Sequence, residues 1–240
     1  MKNPIDGMEA VLFDLDDTLL KVSAPFQKAI LELARACSDD PVMQSEVYRF
    51  LWLELGSTDP DKVECYLATK IGAERAEPLG RRYIEMMSRG IVPYRGARAL
   101  LRHLENRSIP LGIVTNGAHD VQYGKMARAG ILRHFLTIQV PDSKSDRKPS
   151  LPLFKRALDD LDVDAGATLF IGDKFDEDIE PAASLGMRTV HVFQGRFCYH
   201  RGPRRPVLPD FIVEGVWELL PPYRMSGLTR GRSGILRGSA

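Results

Sequence analysis

Short apolar runs recur at residues 10–13, 111–114, 135–140, 168–171 and 188–193, and stretches of helical periodicity separate most of them. Continuous apolar runs of strand length suit strands buried on both faces, and their alternation with helices is the pattern of a parallel sheet covered by helices. The expected fold class is therefore α/β. In an open sheet of this kind, ligands bind beyond the carboxyl ends of the strands, near the point where the strand order reverses. Three of the runs end directly in residues that can carry chemistry.

The first of these is FDLDDTL, residues 13–19, which places Asp14 and Asp16 straight after the run 10–13. Residues two apart on a strand point to one side. The chain must also turn at Asp17-Thr18, so both carboxylates are expected at the strand's mouth, one able to attack and the other able to carry a proton. An isolated Asp-x-Asp pair is usually a solvated turn or a helix cap, but this pair has company. Thr115-Asn116-Gly117 follows the run 111–114, Lys148 precedes Pro149, and Asp173 and Asp178 lie in the acidic cluster after the run 168–171.

These four elements, in this order, resemble the motifs of the haloacid dehalogenase-like (HAD) superfamily in its phosphatase form, and the resemblance extends to about Pro221. Asp173 and Asp178 have the family's spacing, Ala183-Ser184-Leu185-Gly186-Met187 is similar to its usual continuation, and Pro93-Tyr94-Arg95-Gly96 resembles its entry into the helix before Thr115. Arg95 departs from the family where a second proline is common, as does Glu180-Pro181 where small residues are usual; neither is a reacting group. The resemblance implies a Rossmann-like parallel sheet with helices on both faces and an inserted all-helical cap of subclass I.

The same resemblance implies an aspartyl-phosphate mechanism. Asp14 would attack phosphorus, while Asp16 would protonate the departing alkoxide and then deprotonate the attacking water. Thr115, with the backbone amides of Asn116 and Gly117, would hold the phosphoryl oxygens, and Lys148 would neutralise charge there. Mg²⁺ would be bound by the carboxylates of Asp14 and Asp173 and the backbone carbonyl of Asp16, with Asp178 orienting metal-bound water or pairing with Lys148. An acid at position 16 favours phosphoryl transfer over dehalogenation, since a departing halide needs no proton. The implied activity is a Mg²⁺-dependent phosphatase of small phosphorylated metabolites. Gln122 and Lys125 resemble the nucleotidase and N-acylneuraminate-9-phosphatase branch, with phosphoglycolate phosphatases as neighbours. The alternatives are a phosphomutase of the β-phosphoglucomutase kind and a catalytically silent HAD-fold binding protein.

Domain organisation follows the same frame. The core is expected over residues 1–20 and 94–221, the helical cap over 21–93 with helices near 24–36, 42–55, 61–71 and 78–88, and a flexible basic tail over 222–240. Phe50, Leu51, Trp52, Leu53 and Leu55 are expected in the cap's own core. A last strand is expected at 210–213, followed by a short helix at 216–220. With 33 basic and 32 acidic residues the chain has no global field for nucleic acid or an anionic membrane. Its apolar runs fall well short of the roughly 20 residues that cross a bilayer. The expected setting is therefore cytoplasmic, with a small phosphorylated metabolite as partner, no nucleic acid and no membrane, as a monomer or homodimer. Cys37, Cys65 and Cys198 are widely spaced and are expected to be reduced packing thiols. The five histidines form no visible constellation, and His119, three residues after Asn116, is expected to be a loop or helix-start residue rather than a member of the site. The basic loop 200–205 is expected to be solvated.

Overall fold

The computed structural model describes residues 3–55, 60–195, 208–221, 229–230 and 236–237. The chain packs into two compact units, one formed by Met1–Lys21 with Val92–Ala240 and the other by Val22–Ile91. Cys198 and the basic loop 200–205 lie outside the described residues.

In the first unit the strands are β1 (Ala10–Phe13), β2 (Leu20–Lys21), β3 (Val92–Pro93), β4 (Leu111–Val114), β5 (Thr137–Gln139), β6 (Thr168–Gly172), β7 (Arg188–Val192), β8 (Phe211–Val213), β9 (Thr229–Arg230) and β10 (Leu236–Arg237). The main sheet runs β10-β9-β8-β7-β6-β1-β4-β5, and every pair from β8 to β5 is parallel. Counting only the parallel strands, this is the doubly wound order in which the chain first builds outward on one side of β1 and then returns to build on the other. The order reverses between β1 and β6. A crevice at their carboxyl ends is therefore a consequence of topology.

Side chains alternate across the sheet because successive residues of a strand face opposite ways. Leu12, Val114 and Phe170 pack with Leu153, Phe154 and Ala157 of the helix Pro152–Leu161 on one face. Phe13, one residue on, meets Phe135 edge-on at 6.5 Å between ring centres. Burying each such aromatic or leucine side chain stabilises the fold by roughly 1.5–3 kcal/mol. Gly112 is glycine for a packing reason: a Cβ there would lie 2.6 Å from Leu12 and 2.7 Å from Thr137.

The short helix expected at 216–220 is present as the 3₁₀ helix Val216–Leu219. Two other features of this unit differ from expectation. The run 135–140 yields only the short β5, because Leu132–His134 form a 3₁₀ turn and Leu136 is exposed. Within 222–240, expected as a tail, the described dipeptides are strands, with Thr229 opposite Phe211 of β8 and β10 antiparallel to β9. Two-residue strands carry no periodicity, so no pattern search would find them. The same holds for β2 and β3, which pair antiparallel and bring together the two chain ends of the insertion.

The second unit contains α1 (Ser23–Cys37), α2 (Pro41–Arg49), α3 (Pro60–Ile71) and α4 (Ala73–Gly90). Asp40 caps α2 by accepting from the Val42 N–H, with Pro41 at the first helical position, where its missing N–H costs nothing. The helix expected over 42–55 changes pitch at Phe50, and Phe50–Leu55 is π-helical. Pro78 is the expected start of the last helix, but α4 begins at Ala73 and carries Pro78 within it. Leu51 is fully buried, and Trp52 stacks on Phe26 at 5.8 Å. Leu53 is a correction: it is 68% exposed and takes no part in that core. No helix among the described residues is long and apolar enough to cross a membrane.

Candidate active site

The site is built where β1 hands over to a tight turn. The Asp14 N–H donates to the Ile171 carbonyl at 2.9 Å, extending the β1–β6 ladder by one bond and fixing Asp14 beside the point of strand reversal. The chain then folds back: the Leu15 carbonyl accepts from both Leu19 and Leu20 at 3.0 Å, and the Asp17 N–H donates to Leu20 at 2.7 Å. Asp17 pays for this turn with a left-handed φ of 63°, which aspartate tolerates better than bulkier residues. The Gln194 amide donates to the carbonyls of Asp17 and Thr18 at 3.1 and 2.8 Å, so the loop after β7 braces the turn.

Four of the residues singled out in the sequence meet here. Lys148 is 4% exposed, and its Nζ lies 2.6 Å from Asp14 Oδ1, 2.6 Å from Asp178 Oδ1 and 2.8 Å from the Val114 carbonyl. Those three partners occupy all three ammonium protons. Carboxylate oxygens of Asp14, Asp173 and Asp178 lie within 4.8 Å of one another. Asp178 has both oxygens engaged, since Oδ2 accepts from the Lys174 N–H at 3.0 Å. Asp173, 1% exposed, has neither oxygen bonded to any protein group.

A buried carboxylate without donors is costly unless something else neutralises it. Burial, followed by the nearby charges of Asp14 and Asp178, raises the Asp173 carboxyl well above its ordinary range. Burial likewise raises Asp14 to about 7, with Lys148 opposing the shift and Asp178 and Asp16 adding to it. Burial works against the Lys148 ammonium, but Asp14 and Asp178 outweigh it and hold its pKa above the usual lysine range. Hard oxygen donors in excess of local positive charge suit a hard divalent cation. Asp173 and Asp14 would hold it, and Asp178, already saturated, would brace Lys148.

A stability prediction follows from these shifts. The folded-state pKa of Asp14 lies above its ordinary 3.8, so its contribution is fully present below about 4 and is lost as pH rises to about 7. Metal-free protein should therefore unfold at a lower temperature at pH 8 than at pH 5, and a divalent cation should raise Tm more at pH 8. An equal cation-induced shift at both pH values would contradict this account of the cluster.

Gly172 is a second point where the backbone serves the site. A Cβ at this position would lie 2.6 Å from Cβ, Cγ and Oδ2 of Asp178. Gly172→Ala is expected to push Asp178 off Lys148 and cost about 1–3 kcal/mol, as overpacking does. An unchanged Tm would show that Asp178 can move aside freely.

Asp16 occupies a separate branch of the network. Its Oδ2 pairs with Lys125 Nζ at 2.7 Å and accepts from Gln122 Nε2 at 3.3 Å, and the same Gln122 nitrogen donates to Thr115 Oγ1 at 2.7 Å. Thr115 follows β4, where its N–H donates to the Gln139 carbonyl at 3.0 Å. Gln122 and Lys125 stand three apart on the helix His119–Arg128, on one face.

The matched family model is the haloacid dehalogenase-like hydrolase, over residues 11–192. The chain belongs to the haloacid dehalogenase-like hydrolase family. It is 29% identical over 228 residues to a glyceraldehyde 3-phosphate phosphatase of Methanopyrus kandleri, covering 90% of this chain and 97% of that one. It is 28% identical over 222 residues to an N-acetylmuramic acid 6-phosphate phosphatase of Pseudomonas aeruginosa, covering 89% and 93%. In fold it is similar to the crystal structure of a HAD phosphatase from Thermococcus onnurineus, with a TM-score of 0.64, 24% identity, and coverage of 88% and 96%.

Family motifs do not exhaust the site. The Asn116 side chain clamps the Lys148 backbone, with Oδ1 accepting from its N–H at 2.7 Å and Nδ2 donating to its carbonyl at 3.0 Å. Nδ2 also donates to Glu177 at 3.1 Å, which in turn pairs with Lys174 at 2.8 Å. Sequence reasoning gave Asn116 only its backbone amide and missed Glu177 and Lys174. His119 is exposed and bonded to Asp120, stacked on Tyr123, and the structure does not bring it into the cluster.

Proposed function

We propose that this hydrolase is a Mg²⁺-dependent phosphatase of small phosphorylated metabolites, acting through an aspartyl-phosphate at Asp14. The observation that carries the reading is the buried set of Asp14, Asp173 and Lys148, with the carboxylate oxygens of Asp173 lacking any protein donor. The names of the similar enzymes, phosphatases acting on glyceraldehyde 3-phosphate and on N-acetylmuramic acid 6-phosphate, support the substrate class.

A phosphate monoester dianion repels a carboxylate, so attack by Asp14 needs fixed positive charge around the phosphoryl oxygens. When bound, Mg²⁺ supplies part of that charge. Lys148 supplies the rest while holding the Asp14 carboxylate in one orientation. The Thr115 hydroxyl and the amides of Asn116 and Gly117 donate to the phosphoryl oxygens, and Asp173 and the Asp16 carbonyl complete the metal ligands. Asp16 gives its proton to the leaving alkoxide and takes one from the water that hydrolyses the acyl phosphate, so one carboxylate serves both half-reactions. Choice among metabolites is assigned to the helical insertion, on the resemblance alone.

Phosphate release from an aryl phosphate tests the reading. It should require Mg²⁺, stop in excess chelator and return when Mg²⁺ is restored. Full turnover in chelator, or none with Mg²⁺ across aryl and metabolite phosphates, would overturn it.

A further inference from the structure

We propose that Gln122 and Lys125 are positioning residues that together set the two polar groups flanking the nucleophile, Thr115 and Asp16. The inference rests on the phosphatase reading and extends it to two residues of the helix His119–Arg128. Gln122 is almost wholly buried. One of its amide atoms faces both Asp16 Oδ2 and Thr115 Oγ1. That carboxylate oxygen already accepts from Lys125 Nζ, so the amide atom facing it is the nitrogen. The Thr115 oxygen therefore receives a hydrogen bond from Gln122, and its own proton must point elsewhere. A hydroxyl that already accepts on one side is left as a donor on the other, which is the role a phosphoryl oxygen requires.

Lys125 completes the arrangement from one turn further along the same helix. It holds Asp16 Oδ2 at 2.7 Å, which leaves Oδ1, a buried oxygen with no protein partner, as the atom available for proton exchange. Gly117 gives the arrangement room. A Cβ there would lie 2.3 Å from Gln122 Cδ and 2.5 Å from its Nε2, so glycine at this position accommodates the glutamine side chain.

The test measures kcat and KM for an aryl and an alkyl phosphate with Mg²⁺, alongside Tm. Gln122→Leu keeps the volume and removes the donor, and should lower kcat/KM by about 10- to 100-fold on both substrates, the range seen when supporting partners of a site are lost. Lys125→Met should depress the alkyl phosphate more than the aryl phosphate, because only the alkoxide needs a proton to leave. Gly117→Ala should mimic Gln122→Leu, and the Gly117→Ala, Gln122→Ala double variant should lose clearly less than the product of the two single losses, since the clash between the two side chains has gone. Additive losses from Gly117→Ala and Gln122→Ala would overturn the coupling, and equal losses on the two substrates for Lys125→Met would overturn its link to Asp16. Variants that match an active wild type would defeat this inference alone. A wild type that released no phosphate would defeat the phosphatase reading and this inference with it.

Discussion

Asp14→Asn protein is expected to fold and to lose turnover by at least about 10⁴-fold, the scale on which removal of a nucleophile acts in covalent catalysis. Asparagine matches aspartate in shape, so the backbone bond from residue 14 to Ile171 and the packing of β1 are preserved. What disappears is the attacking oxygen and one of the charges crowding the cluster. Burial opposes that charge, so the variant's Tm in the absence of metal should equal or exceed that of wild type at pH 8. Its cation-induced Tm shift should also shrink. Near-wild-type phosphate release from pure variant would remove Asp14 from the mechanism.

Lys148→Met should have the largest effect on stability. Its ammonium is the partner of Asp14 and Asp178, both buried, and Asp173 lies beside them. Removing one member of a buried ion pair costs about 3–5 kcal/mol, because the other is left charged and unpaired. For a chain of this size that corresponds to a fall in Tm on the order of 10 °C. The loss should ease as pH is lowered, since Asp14 and Asp173 already have raised pKa values and would take up protons first. A drop that is the same at pH 5 and pH 8 would show that the lysine matters for packing rather than charge. Activity should be lost at every pH.

Much of this was legible before the structure because the chemistry sits at strand ends. The apolar runs marking β1, β4, β6 and β7 are fully or nearly fully buried, so hydrophobicity alone located them, and the groups following them were placed by continuity. The side-chain partners were not legible in the same way. That Asn116 would grip the Lys148 backbone, or that Glu177 would reach Asn116, depends on loops whose paths no periodicity encodes. Gln122 and Lys125 left a trace in their three-residue spacing, but the identity of their partner, Asp16, is a long-range fact of packing. Gly117 has a packing reason to be glycine that the sequence did not show, since the neighbouring glutamine fills the place of a side chain.

The central claim is that Asp14 carries the phosphoryl group between the two half-reactions. Brief mixing with a phosphate-labelled substrate and Mg²⁺, followed by acid quench and peptide mapping, tests it most directly. The account predicts label on the peptide containing Asp14, released by hydroxylamine as an acyl phosphate should be, and none in the Asp14→Asn protein. Turnover of the same substrate with no label at residue 14 at any quench time, together with label on another residue, would contradict it.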